Sequence, residues 1–178
     1  TIMNIDGKDI EMKHPICFGK VYDKWLVSKC GKVWSVSQKR FLKGSTSSYN
    51  SYKSTHTRTG SKRKSRKVLN MSYHMMLDEE DWWGDGSGRK HHSGNQWIRP
   101  ISAHKLVIDT WKPLYDNPPE GIVWEEWEII RDLPSVYDHV SKTVWIDHID
   151  DNPTNNHVDN LRRVTSWDNN NTRKAKGI

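Results

Sequence analysis

The sequence predicts an α+β chain with a β-hairpin-rich N-terminal part. At its C-terminal end it predicts a strand, a polar loop, a second strand and a helix. Three observations support this. Residues 20–36, KVYDKWLVSKCGKVWSV, alternate apolar and polar on either side of Cys30-Gly31. Residues 143–164, TVWIDHIDDNPTNNHVDNLRRV, place two short β-type stretches around an Asn-rich loop. Between them SAHKLVIDTW, residues 102–111, sets Leu106, Val107 and Trp111 on one helical face.

In chain order, the first element is the hairpin over 20–36. Val21, Trp25, Val27, Val33, Trp34 and Val36 are its strand-type residues, and Cys30-Gly31 is its turn. A basic segment follows. Lys39, Arg40, Lys43, Lys53, Arg58, Lys62, Arg63, Lys64, Arg66 and Lys67 occur without one Asp or Glu between them. Their spacers are mostly Ser, Thr, Tyr and Gly, too little apolar area to offset the entropy of ordering, so 39–67 reads as a mobile or ligand-ordered arm, or as a solvated charge run. Residues 66–76 fit a strand. Residues 78–95, rich in Gly, Asp and Ser, fit a loop or a long hairpin connection. A strand over 96–102 is restricted to an edge or an end by Pro100. Ser102 can cap the helix over 102–111, and Pro113 ends it. GIVWEEWEIIRDL, residues 121–133, permits either an amphipathic helix or a strand, and 112–143 has no assigned role.

The C-terminal stretch is the most informative. Residues 143–146 deliver Asp147-His148, the loop runs from Ile149 to Asp159, and residues 160–164 return as the second strand. Thr165 or Ser166 can cap a helix through SWDNNNTRKAKG, where Asp168 suits the first turn and Gly177 the stop.

Composition narrows the function. The chain has 178 residues, with 28 Lys+Arg against 22 Asp+Glu, a formal charge of +6. That length excludes a large α/β barrel. No stretch approaches the ~20 apolar residues of a spanning helix, and no charged-then-apolar leader opens the sequence. The expectation is a cytoplasmic protein without a membrane partner. Cys17 and Cys30 are too few for a disulfide framework or an all-Cys zinc site. The basic balance points to a polyanion. Acids gather at 78–81 and 116–132, away from the basic segments. The Trp set is expected mostly in the core, with Trp25, Trp34, Trp111, Trp124, Trp127 and Trp145 among apolar neighbours. His104 is expected to pack against a sheet or to lie near phosphate. His91 and His92 read as an exposed pair in a Gly/Ser loop.

Neighbouring residues of a strand point to opposite faces, so Asp147 and His148 can flank one group without reaching the same atom. Carboxylate and amide oxygens suit a hard cation such as Mg²⁺. His148 can accept a proton from water near neutral pH. Together these allow single-metal hydrolysis of a phosphodiester.

The stretch resembles the HNH nucleases of the ββα-metal superfamily, and within them the phage and intron homing endonucleases. The residues that carry the resemblance are Asp147, His148, Asp150, Asn152, Asn155, Asn156, Asn160, Leu161, Arg162, Val164 and Thr165. AHKLVIDTWKP is similar to a segment that commonly precedes the motif, and WLVSKCGKVWSV to a DNA-binding module often fused to it. The resemblance implies His148 as general base and Asp147 as a metal ligand. It implies Asn160 as the residue that ties the loop and keeps His148 oriented, and one Mg²⁺ or Mn²⁺ per site. Asn169 is the choice of helix ligand, with Asn170 and Asn171 as neighbouring registers. Arg162 or Arg163 would contact phosphate. Residues 1–100 would be a β-rich DNA-binding region and 101–178 the nuclease region, the latter interrupted by 112–143. The partner implied is double-stranded DNA, held by a monomer through Lys39, Arg40, Lys43, Arg58, Lys62, Arg63, Lys64, Arg66, Lys67, Arg162, Arg163, Arg173 and Lys174. A DNA-binding module that uses the same unit only as a scaffold is the alternative, and an RNA-binding or RNA-processing protein is a second one.

Overall fold

The computed structural model of the chain describes residues 1–55, 62–77, 98–166 and 168, with only the backbone for 49–55 and 62–68. The chain is mixed α+β and divides into two compact units. One joins Thr1–Leu42 to His104–Ile178, and the other is Lys43–Ala103. The division therefore differs from a boundary at residue 100, because the N-terminal strands and the C-terminal segment share one unit.

The first unit opens with β1 (Ile2–Ile5) and β2 (Lys8–Lys13), an antiparallel pair joined through Asp6-Gly7. Both turn residues have positive φ, 53° and 76°, the backbone of a two-residue hairpin turn that favours Asp-Gly. The short strands β3 (Ile16–Cys17) and β4 (Lys20–Val21) follow and pair with each other. Then come β5 (Trp25–Ser28), β6 (Val33–Ser35) and β7 (Arg40–Phe41). The larger sheet has the order β1-β2-β5-β6-β7. The expected hairpin is the β5–β6 pair, with Leu26 opposite Trp34 and Val27 opposite Val33. Its turn is braced by the Ser28 hydroxyl, which accepts from the Lys32 backbone N–H at 3.0 Å.

The second unit is a three-stranded antiparallel sheet of β8 (Ser45–Thr55), β9 (Lys62–Met76) and β10 (Ile98–Ser102), in the order β10-β9-β8. Most of the expected arm thus belongs to a long hairpin, running from Ser45 opposite Ser72 to Thr55 opposite Lys62. Strand pairing satisfies the backbone groups of a segment whose side chains offer little to bury. Pro100 lies in β10, an edge strand, where its missing N–H costs no ladder bond. Tyr73, Met75, Leu77 and Ile101 are buried here. The 78–95 loop, with Trp82, Trp83, His91 and His92, lies outside the described residues.

The chain returns to the first unit through α1 (Ala103–Trp111), whose Leu106, Val107 and Ile108 are buried. Thr110 accepts from the Ile16 backbone N–H at 3.0 Å and so joins α1 to β3. Trp111 is half-buried, with Lys13 and Lys29 over its ring. A 3-10 turn (Leu114–Asp116), α2 (Trp124–Arg131) and α3 (Pro134–Thr143) fill the segment that had no assigned role. The 121–133 ambiguity resolves to helix. Glu125 and Glu126 occupy the first turn of α2 and Arg131 the last, as the helix dipole favours, and Pro134 opens α3 at a position that needs no N–H. Trp127 is fully buried and donates its indole N–H to the Tyr115 carbonyl at 3.0 Å. Trp124 and Trp145 do not join the core: they are 41% and 56% exposed, and Arg131 stacks on Trp124.

The last pair is β11 (Trp145–His148) with β12 (Leu161–Val164), separated by the polar loop and a 3-10 turn at Val158–Asn160. Ser166 and Asp168 begin a helix. Thr165 caps it, since its hydroxyl accepts from the Asp168 N–H at 3.2 Å and donates to the Asp168 carboxylate at 2.7 Å. Among the described residues no helix is long and apolar enough to cross a membrane.

Candidate functional site

The antiparallel register puts Asp147 opposite Arg162 and His148 opposite Leu161. The strand alternation then sends the Asp147 and His148 side chains to opposite faces of β11.

The His148 side chain meets α1 and the loop. Its Nε2 lies 3.0 Å from Oδ1 of Asn156, a residue only 4% exposed. An amide oxygen can only accept, so Nε2 carries the proton and donates it, and in the neutral ring Nδ1 keeps its lone pair. The His148 and His104 rings meet edge to face, with centroids 5.6 Å apart and planes at 80°. Burial, reinforced by His148 and Lys105 and opposed by Asp109, pushes His104 down to about 4. His104 therefore stays neutral beside His148 at neutral pH.

The loop closes on itself through Asp150. One carboxylate oxygen accepts from the Asn152 backbone N–H at 2.9 Å and from Asn160 Nδ2 at 2.8 Å. The other accepts from Asn155 Nδ2 at 2.8 Å. These bonds, with the Asn155 amide first, hold the Asp150 carboxyl below its ordinary range. Asn160 also donates to the Asn155 carbonyl and accepts from the Asp150 N–H, at 2.8 and 3.0 Å. Asn160 thus ties the loop, while the direct partner of the His148 ring is Asn156. Asp151, at φ 60°, makes the tight turn out of β11 and donates its N–H to the His148 carbonyl.

On the other face, Oδ2 of Asp147 accepts from Arg162 Nε at 2.9 Å and Nη2 at 2.8 Å. Arg162 Nη1 reaches Oε2 of Glu120 at 2.8 Å. Beyond this pair lies a cleft of about 320 Å³, lined by Lys112, Asp116, Asn117, Glu120, Trp124 and Arg162 among others.

Arg163 requires a correction. Its side chain is 5% exposed, bonded to Asp109 at 2.8 Å and to the Lys112 carbonyl. A guanidinium so enclosed locks β12 to α1 and is not presented to a phosphate backbone. Lys39, Arg40 and Lys43 are exposed. Lys62, Arg63, Lys64, Arg66 and Lys67 belong to β9. Arg58, Asn169, Asn170, Asn171, Arg173 and Lys174 lie outside the described residues.

Among the described residues no group of three or more His, Cys, Asp or Glu is placed to hold a metal. The donors present suit only a cation that keeps most of its water. Arg162 occupies Oδ2 of Asp147; among the described residues no hydrogen bond is made to Oδ1, a single hard oxygen of the type Mg²⁺ accepts alongside waters.

Sequence reasoning placed Asn156 in the motif without giving it a role, and missed Glu120. The Asn155-Asn156 doublet was a signal for the first, and nothing in the sequence marked the second.

No protein-family model matches the chain, and no curated protein matches it. Among solved structures, one on DNA binding and cleavage by the HNH homing endonuclease I-HmuI is similar over 94% of this chain. The identity is 18% and the TM-score 0.45, and the chain spans 60% of the length of that neighbour.

Proposed function

We propose that the chain is a metal-dependent endonuclease of the HNH type, hydrolysing DNA phosphodiester bonds with one Mg²⁺ or Mn²⁺. The observation that carries the reading is the 3.0 Å contact of His148 Nε2 with Asn156 Oδ1, which would leave Nδ1 to accept a proton from water. Asp147, one residue earlier and on the opposite face, offers a carboxylate oxygen to a cation. Asn169 is the proposed second donor, with Asn170 and Asn171 as neighbouring registers. The metal, when bound, would polarise the phosphate and stabilise the leaving oxygen. The chain's own residues supply the rest. His148 takes the proton of the attacking water. Asn160 and Asp150 keep the loop closed, so that the ring does not swing away.

The basic residues account for affinity. Lys39, Arg40, Lys43, Arg58, Lys62, Arg63, Lys64, Arg66, Lys67, Arg173 and Lys174 would grip backbone phosphates of a DNA duplex, in a salt-dependent way that positions more than it reads. Arg162 would join them only after releasing Asp147, and Arg163 is left out.

A DNA-binding module without catalysis is the second reading, favoured by one observation: Arg162 already neutralises the carboxylate that a cation would need. Supercoiled plasmid and a structured RNA, each incubated with Mg²⁺, Mn²⁺ or EDTA, separate the readings. We expect nicked or linear plasmid only where metal is present. Plasmid retarded but uncut in every condition would favour the binding module, and cleavage of RNA alone would overturn both.

A further inference from the structure

We propose that Asn156 is a positioning residue that fixes the tautomer of His148, and that the turn of the N-terminal β5–β6 hairpin holds Asn156 in place. The inference rests on the reading of His148 as the proton acceptor. Three contacts lead from the turn to the ring. The Lys29 carbonyl accepts from the Val158 backbone N–H at 2.8 Å, which pins the loop just after Asn156. Gly31 sits directly against Asn156. A Cβ at this position would come within 3.3 Å of Asn156 Cβ, so Asn156 would have to give by a few tenths of an ångström, and 3.5 Å from Val107 Cγ2, an ordinary contact. Its φ of +85° favours glycine as well, since a side chain there is strained. Asn156 then presents Oδ1 to Nε2 of His148 at 3.0 Å.

The chemical consequence lies in which nitrogen is bare. An imidazole with no fixed partner populates both tautomers, and the form protonated on Nδ1 cannot accept a proton there. A buried acceptor on Nε2 favours the tautomer in which Nδ1 keeps its lone pair, and fixes the ring plane. The hairpin, 118 residues earlier than His148 counted from Cys30, is thereby part of the site and not only a neighbouring module. Because Asn156 touches neither substrate nor metal, its effect falls on the turnover step and not on binding.

The test is nitrogen-15 NMR of His148 at pH 8 in the intact chain, paired with steady-state plasmid cleavage. In the wild type we expect a single tautomer with a slowly exchanging Nε2 proton. Detection of the Nδ1-protonated form would overturn the proposal without any variant. Asn156→Leu should lose the slowly exchanging proton and show both tautomers, with kcat reduced about tenfold and KM changed less than about twofold. Gly31→Ala, which displaces Asn156 without altering it, should move both readouts the same way. A folded Asn156→Leu chain with the wild-type His148 signals would overturn the proposal. A wild type that shows the Nε2 proton yet cuts no plasmid would instead sink the nuclease reading and leave the geometry standing.

Discussion

Arg162 and Asp147 face each other across β12 and β11, and two guanidinium nitrogens reach the same carboxylate oxygen at 2.9 and 2.8 Å. The side chains are 21% and 16% exposed, so solvent screens the pair only in part. Arg162→Met leaves Asp147 half-buried without its cation. We expect a loss of about 1–2 kcal/mol in urea unfolding without metal. A metal at Asp147 would then meet no competing guanidinium, so Mg²⁺ should raise the melting temperature of the variant more than that of the wild type. Equal metal-induced shifts in the two proteins would remove Asp147 from the ligand set.

Arg163 points the opposite way from its neighbour and is enclosed. Arg163→Met leaves Asp109 with Lys105 as its remaining cation, at 2.8 Å, but breaks the tie from β12 to α1, and should cost about 1–3 kcal/mol in urea unfolding. At temperatures where the variant is folded, the salt dependence of its DNA binding should equal the wild-type slope. A slope reduced by about one would return Arg163 to the phosphate contacts.

His104 gives the fold a pH dependence with a definite sign. Its ordinary value is 6.5 and burial lowers it to about 4 in the folded chain. Between those values the unfolded chain binds a proton that the folded chain refuses. Stability from this group is fully present above about 6.5, falls as the pH drops, and levels off below about 4. The full drop is roughly 3 kcal/mol. Urea midpoints at pH 7, 5.5 and 4.5 should decline in the wild type, and His104→Gln should flatten that stretch. Asp150 acts in a lower window: its lowered carboxyl pKa stabilises above the unfolded value of 3.8 and is lost as the pH falls through the folded one. An identical slope in His104→Gln would show that other groups set it.

Legibility in the sequence followed the strength of the local signal. Alternation around Cys30-Gly31 announced β5 and β6, the apolar spacing of Leu106, Val107 and Trp111 announced α1, and the Asn-rich loop marked the β11–β12 connection. The second half of β9 was legible as a strand over 66–76, but β8 and the start of β9 were hidden because Ser, Thr, Lys and Arg predominate there without an apolar run, and backbone pairing is advertised by no side chain. In Trp124 to Leu133, apolar residues are frequent enough to fit either period, and the Glu pair in the first turn of α2 was the overlooked arbiter. At the site the limit was different. Asn156 and Asn160 are the same residue type in one loop, and only the fold of that loop decides which reaches the imidazole. Arg162 and Arg163 are adjacent on a strand, so one must face the core, and sequence alone does not say which.

His148 is the residue on which the proposed cleavage depends most directly. Purified wild type and His148→Ala, at equal concentration with supercoiled plasmid and Mg²⁺, should differ by at least about a hundredfold in the rate of nicking. Retardation of the same DNA in EDTA should be unchanged. Wild-type nicking that survives His148→Ala undiminished would contradict the assignment of the base.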